Sequence, residues 1–185
     1  MTQVRSFAPI AAPDATLLIL GSMPGEESLR AGQYYAHPRN AFWRILGELV
    51  GARPELPYEQ RVAIVKAYKI AIWDVLASCV RRGSLDADIA EASIEANDFR
   101  TFFEMHPAIA RVFFNGATAQ RCFRSYVVPT LAPRALHYQR LPSTSPAHAA
   151  LRYGQKLAAW QVILDSPPGA QHAADVGMAR VIRCG

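Results

Sequence analysis

Short, continuously apolar runs alternate along the chain with segments whose apolar residues recur every three or four positions. Residues 15–20 (ATLLIL), stopped by Gly21, predict a buried strand. Phe42, Ile45, Leu46, Leu49 and Val50 share one helical face, with Gly51 as the stop. A second helix is expected around 58–68, and a second strand over 70–76 (IAIWDVL). The polar stretch 81–96 predicts a long loop with some helix. Asn97 and Asp98 suit the cap of a short helix carrying Phe99, Phe102 and Phe103, which His106-Pro107 ends. A third strand is expected over 111–114 (RVFF), a helix over 117–126, a fourth strand over 135–141 and a last long helix over 146–164.

Strand followed by helix, four times over, predicts an α/β fold: a three-layer sandwich with a central four-stranded parallel sheet flanked by helices. In such sheets ligands bind beyond the carboxyl ends of the strands. The loops of interest are therefore 21–40, 73–78, 115–118 and 141–148. Residues 1–165 form one domain in this reading, and the small, polar composition of 166–185 predicts a flexible C-terminal extension.

Composition narrows the classes. With 51% hydrophobic and 19% charged residues the chain is of globular type. No run approaches the ~18 apolar residues of a membrane span, and no basic-then-apolar leader opens the chain, so a cytoplasmic protein with no membrane partner is expected. Cys79, Cys122 and Cys184 are widely spaced and form no CxxC pair, which argues against a disulfide framework, zinc or an Fe–S cluster. No cofactor or metal is implied. The net charge of +5 suits a polyanionic partner, although there is no long basic run.

The loop after the first strand carries the densest chemistry: Gly21-Ser22-Met23-Pro24-Gly25, then Gln33-Tyr-Tyr-Ala-His-Pro-Arg-Asn-Ala-Phe-Trp43. A Gly/Pro-rich turn lets backbone approach a ligand and offers it N–H groups. It is neither GxGxxG nor GK[ST], so neither a dinucleotide site nor a P-loop is supported. Taken whole, the segment resembles the first motif of the uracil-DNA glycosylase superfamily, and most closely the hypoxanthine-DNA glycosylase family, whose strings read Gly-Ser-x-Pro-Gly and QYYAHPRNxFW. The later WDVL, NDF, FFNG and LPSTSPA strings fit in order, so the resemblance spans roughly residues 17–160.

The resemblance implies a monofunctional DNA glycosylase of base excision repair. Its substrate would be DNA carrying a deaminated base, hypoxanthine before uracil, and the enzyme is expected to be a monomer. Mismatch-specific relatives place a water-positioning asparagine where this chain has Met23, and a thioether cannot polarise water. Asn40 is then the catalytic candidate, and equally a helix cap just before AFWRIL. Gly21, Ser22, Met23, Pro24, Tyr35, His37, Trp73, Asp74 and Asn115 form the expected base pocket. Tyr35 would stack on the flipped base or serve as a core aromatic. His37 would bond base or phosphate, or tie down its loop. Asp74 would accept from a purine N–H or brace the first loop. Arg39, Ser143, Ser145, Pro146, Ala147 and His148 are assigned to DNA or phosphate contact, with Ser145 and Pro146 also expected to start the last helix. No lysine stands at the motif, so no lyase step is expected. Two other readings stay open: a fold that senses damaged DNA without cutting it, and an α/β hydrolase of small nucleosides.

Overall fold

In the computed structural model, which describes residues 2–83 and 89–165, two sheets organise the chain. The larger is formed by β2 (Leu17–Gly21), β3 (Ile70–Asp74), β6 (Arg111–Asn115) and β7 (His137–Leu141), all parallel, in the order β3-β2-β6-β7. Every residue of β2 and β3 is buried, because helices cover both faces of a parallel sheet. That is why these strands read as unbroken apolar runs. The register sets Gly21 opposite Asp74 and Asn115 opposite Leu141, so the four carboxyl ends lie along one edge.

The second sheet is antiparallel, in the order β1 (Thr2–Arg5), β4 (Leu76–Arg81) and β5 (Ile89–Ala96). It corrects two expectations. The strand expected over 70–76 ends at Asp74, and the chain enters β4 after Val75, whose N–H donates to Gly21 O. Of the stretch 81–96 expected as loop and helix, 84–88 lie outside the described residues and Ile89–Ala96 is strand: β5 pairs with β4 through two register shifts, and the Ser93 hydroxyl accepts from Val80 N–H. Its Ala- and Glu-rich sequence carries little strand propensity, and pairing with a neighbour decides the outcome.

The helices are α1 (Glu26–Ala31), α2 (Phe42–Val50), α3 (Tyr58–Ala67), α4 (Phe99–Met105), α5 (Ala117–Cys122) and α6 (Tyr153–Trp160). The helix α1 lies within what the sequence suggested was loop. The cap on α4 is as expected, with Asp98 Oδ1 accepting from Thr101 N–H at 3.1 Å, and the hydrogen bonds to Thr101 hold this carboxyl below its usual pKa. The helix expected over 117–126 is α only to Cys122 and continues as a π-turn over Phe123–Val127. The last helix starts at Tyr153 rather than at Pro146, and ends in a 3-10 turn over Gln161–Leu164. The expected tail over 166–185 lies outside the described residues.

Two arginines close helix ends by donating to carbonyls of the last turn and of the residues after it. Arg134 donates to Phe103 O in the last turn of α4 and to Pro107 and Ile109 O beyond it, and Arg111 to Val162, Ile163 and Asp165 O beyond α6. Arg111 is 8% exposed, so its bonds are shielded from water. Arg111→Met is expected to lower the unfolding free energy by about 2 kcal/mol, since only its 2.7 Å bond to Asp165 O is short. A urea titration would show a lower midpoint at unchanged slope.

Candidate active site

The Gln33–Trp43 string is folded by its own polar groups. Tyr34 is pinned on both sides: its N–H donates to the Tyr58 hydroxyl at 3.0 Å, and its carbonyl accepts from the Trp43 indole at 2.7 Å. The backbone leaves Tyr34 through a left-handed Tyr35, φ 56°, a conformation that costs a bulky residue of order 1–3 kcal/mol. The Tyr35 ring then lies flat on Phe42, centroids 3.8 Å apart and planes at 18°. Burial drives the Tyr34 hydroxyl pKa up, and the nearby Asp74 carboxylate adds to the rise, so Tyr34 stays a neutral strut.

His37-Pro38-Arg39-Asn40 is a tight turn, with Asn40 N–H donating to His37 O at 2.8 Å and Pro38 at the second position, where its fixed φ is favoured. His37 Nδ1 accepts from Arg39 N–H, which leaves Nε2 as the ring's donor in the neutral form. Asn40 Oδ1 accepts from Phe42 N–H at 3.0 Å, across the start of α2. The capping reading of Asn40 is thus realised, through an Asx turn one residue before the formal cap, Ala41. Its Nδ2 and the second lone pair of Oδ1 are not used by that bond.

The fourth-strand loop is brought against this turn. Asn115, ending β6, clamps Thr144 with two bonds: Nδ2 donates to Thr144 Oγ1 at 2.9 Å and Oδ1 accepts from Thr144 N–H at 2.8 Å. Thr144 O in turn accepts from Ala41 N–H at 3.0 Å, next to Asn40. Ser143 Oγ accepts from Ser145 N–H and Ser145 Oγ from Ala147 N–H, so the serines form a turn. Here the expected helix start is corrected. Ser145-Pro146 spends its capping chemistry on this turn, and α6 begins at Tyr153, where Gln155 Oε1 accepts from Arg152 N–H. The proposed helix N-terminus after Pro146 is therefore absent. At Gly116, φ 99°, a Cβ would lie 3.0 Å from Ser143 Cβ, so glycine is what lets the two loops meet.

Together these loops border a cleft of about 650 Å³. Of the expected residues, Tyr35, His37, Arg39, Asn40, Ser145, Pro146 and His148 line it. Gly21, Ser22, Met23, Pro24, Trp73, Asp74, Asn115, Ser143 and Ala147 do not. Met23 and Trp73 are 7% exposed members of the core, and the Trp73 indole donates to Phe7 O. Asp74 is buried and accepts from Ser6 Oγ at 3.0 Å. It also packs on the end of β2. A Cβ at Gly21 would lie 2.4 Å from Asp74 Oδ1 and 3.0 Å from the Tyr35 hydroxyl, so a glycine there lets carboxylate and ring converge. Behind the Gly21–Gly25 turn, Gly21 O and Ser22 O accept from Val75 and Leu76 N–H, and Pro24 O from the buried Arg81 guanidinium.

Residues that the sequence did not single out also line the cleft: Arg44, Arg61, Thr144, Tyr153 and Lys156 among them. Lys156 is 6% exposed, donates to His148 O at 2.8 Å, and has its pKa lowered by burial. The motif itself carries no lysine in sequence, and folding brings Lys156 to the cleft wall. A helical position three residues past Tyr153 carried no local signal for this. Among the described residues, no group of His, Cys, Asp and Glu is arranged to hold a metal ion, and no helix is long and apolar enough to cross a membrane.

The sequence model of the uracil DNA glycosylase superfamily matches residues 8–164. The chain is 35% identical over 145 residues to a hypoxanthine DNA glycosylase of Methanosarcina acetivorans, covering 78% of this chain and 87% of that one. It is 39% identical over 113 residues to a hypoxanthine DNA glycosylase of Methanosarcina barkeri, covering 60% and 70% respectively. Among solved structures it is similar to a solution NMR structure from Methanosarcina acetivorans, described as a candidate uracil DNA glycosylase. The TM-score is 0.70 and the identity 31%, over 89% of this chain and all of that one.

Proposed function

Because the chain belongs to the uracil DNA glycosylase superfamily, we propose that it is a monofunctional glycosylase of base excision repair, releasing hypoxanthine from DNA that contains deoxyinosine. The observation that carries the reading is the placement of Asn40 and Tyr35. Both line one cleft, Asn40 held by its bond from Phe42 N–H and Tyr35 by its stack on Phe42, and the serine loop borders them.

In this mechanism the lesion nucleotide leaves the stack and its base lies on Tyr35, which Phe42 backs. The C1′–N9 bond breaks with its electron pair going to the base, leaving an oxocarbenium-like sugar. Asn40 orients a water through its unused amide atoms, the water oxygen bonds to C1′, and the proton goes to the departing hypoxanthine. The Nε2–H of His37, which lines the same cleft, would stabilise charge on the base. Asp74, Trp73 and Asn115 serve behind the wall: Asp74 braces the end of β2, Trp73 fills the core and Asn115 holds the serine loop. Ser143, Ser145 and Arg39 would contact phosphates, with Ala147 as a shallow wedge that favours poorly paired bases.

The test is base release from duplexes carrying hypoxanthine, uracil, xanthine or a G·T mismatch, at single turnover. Hypoxanthine release at least tenfold faster than any other is expected. Tight binding without release would favour a damage sensor, the reading that Met23 suggests. Faster cleavage of free deoxyinosine than of DNA would favour a nucleoside hydrolase.

A further inference from the structure

The cleft extends beyond the residues given a role above, and its walls carry one sign of charge. Arg39, Arg44, Arg61 and Lys156 line it together with His37 and His148, and among the described residues no Asp or Glu does. Two of these cations are held on aromatic faces instead of by carboxylates. The Arg44 guanidinium carbon sits 3.6 Å above the Tyr153 ring, and that of Arg61 lies 4.6 Å from the centre of Trp43 and 5.3 Å from that of Tyr58. Among the described residues the ion pairs are Arg30–Glu27 and Lys69–Asp14, so neither guanidinium is neutralised by a salt bridge.

Stacking a guanidinium on a ring fixes its plane while leaving its edge N–H groups for a ligand. A planar fork held in this way matches the paired oxygens of a phosphate. Desolvation already lowers the pKa of Arg61, against the opposing pull of Tyr58 and Glu59, and an incoming anion would reverse that cost. Gathering like charges in one cleft works against folding unless a polyanion enters it. Asn40 and Ser145 line the same cleft, so the charged wall continues from the proposed reaction centre onto the exposed face of α2 and the start of α3.

We propose that Arg44 and Arg61 form a track for backbone phosphates of the lesion-bearing DNA strand, flanking the flipped nucleotide. The inference rests on the glycosylase reading for the strand's identity, but the track itself requires only a phosphodiester chain. It binds without regard to sequence, since phosphate contacts position a duplex and do not read it.

The experiment measures the Kd of labelled duplexes, one with a single deoxyinosine and one undamaged, between about 50 and 200 mM salt. Arg44→Gln, Arg61→Gln and the double variant are compared with the parent. Each lost phosphate contact is expected to flatten the plot of log K against log salt by about 0.9. Each is also expected to weaken binding about tenfold at low salt, equally for both duplexes. Arg44→Lys, which keeps charge but loses the fork and the stack, should hold the parent's slope at reduced affinity. Arg44 is exposed on α2, so its variants report even where Arg61→Gln loosens the packing on Trp43. An Arg44→Gln slope unchanged from the parent's, with an affinity within twofold of it, would overturn the track, as would weakening confined to the lesion duplex. Base release by the parent protein is scored separately. If the track holds on undamaged DNA and no base is released, only the functional reading falls; if hypoxanthine is released and the slopes do not move, only the track falls.

Discussion

Replacing Asn40 with alanine is expected to slow hypoxanthine release by about 10²–10⁴-fold at single turnover, the range for losing a positioned proton-transfer or charge-stabilising group. It is also expected to cost about 1 kcal/mol of stability, because Phe42 N–H loses its acceptor at the start of α2. The two effects separate in a second variant. Asn40→Ser retains an oxygen for Phe42 N–H and should unfold within a few tenths of a kcal/mol of the parent. It lacks the amide, however, and should release base almost as slowly as the alanine variant. Near-parent release by Asn40→Ser would reduce Asn40 to a cap and remove the proposed mechanism.

Asn115→Ala should be the most destabilising single change near the cleft. Thr144 is 1% exposed, and the substitution leaves its N–H and hydroxyl buried without their partner. At about 1–3 kcal/mol for each unsatisfied buried group, a loss of about 2–4 kcal/mol is expected. Activity should fall further than stability explains. Thr144 O holds Ala41 N–H, so a shift of the serine loop moves the residue next to Asn40, and a misplacement of about 1 Å is worth up to ~10²-fold in rate. Asn115→Asp keeps an acceptor for both Thr144 groups and should recover most of the loss. Urea unfolding and single-turnover release, measured on all three proteins, check this. A change below about 0.5 kcal/mol in Asn115→Ala would show that the clamp is dispensable.

The parallel sheet was readable because strands buried on both faces are apolar over most of their length, as 17–21 and 70–73 are. The edge strand β5 was not, since none of its residues is fully buried and its Ala/Glu sequence favours no strand until β4 pairs with it. At Ser145-Pro146 the local chemistry was identified correctly but its consequence was not: the hydroxyl does accept a nearby N–H, yet it closes a turn instead of starting a helix. Within the site, Tyr35, His37, Arg39 and Asn40 stood out because one contiguous string carries them. Arg61, Tyr153 and Lys156 come from helix faces remote in sequence, and Arg44 from the helix face just past the string. A charge on such a face reads as ordinary solvent exposure until folding sets the faces across a cleft. Asp74 and Trp73 were legible as strand-end residues, but their burial depends on Ser6 and Phe7, which no pattern in the first ten residues linked to them.

The left-handed backbone at Tyr35 bears on the thermodynamics of recognition. Immobilising a large side chain when a ligand binds costs about 0.5–1.5 kcal/mol of conformational entropy. In this fold that ordering, and the backbone strain with it, is met during folding by the Tyr58 and Trp43 bonds to Tyr34 and by the face of Phe42. A base arriving at the ring therefore meets a surface with little freedom left to lose. The interaction free energy that a mobile aromatic would consume in settling remains available to offset the unstacking of the lesion from its duplex.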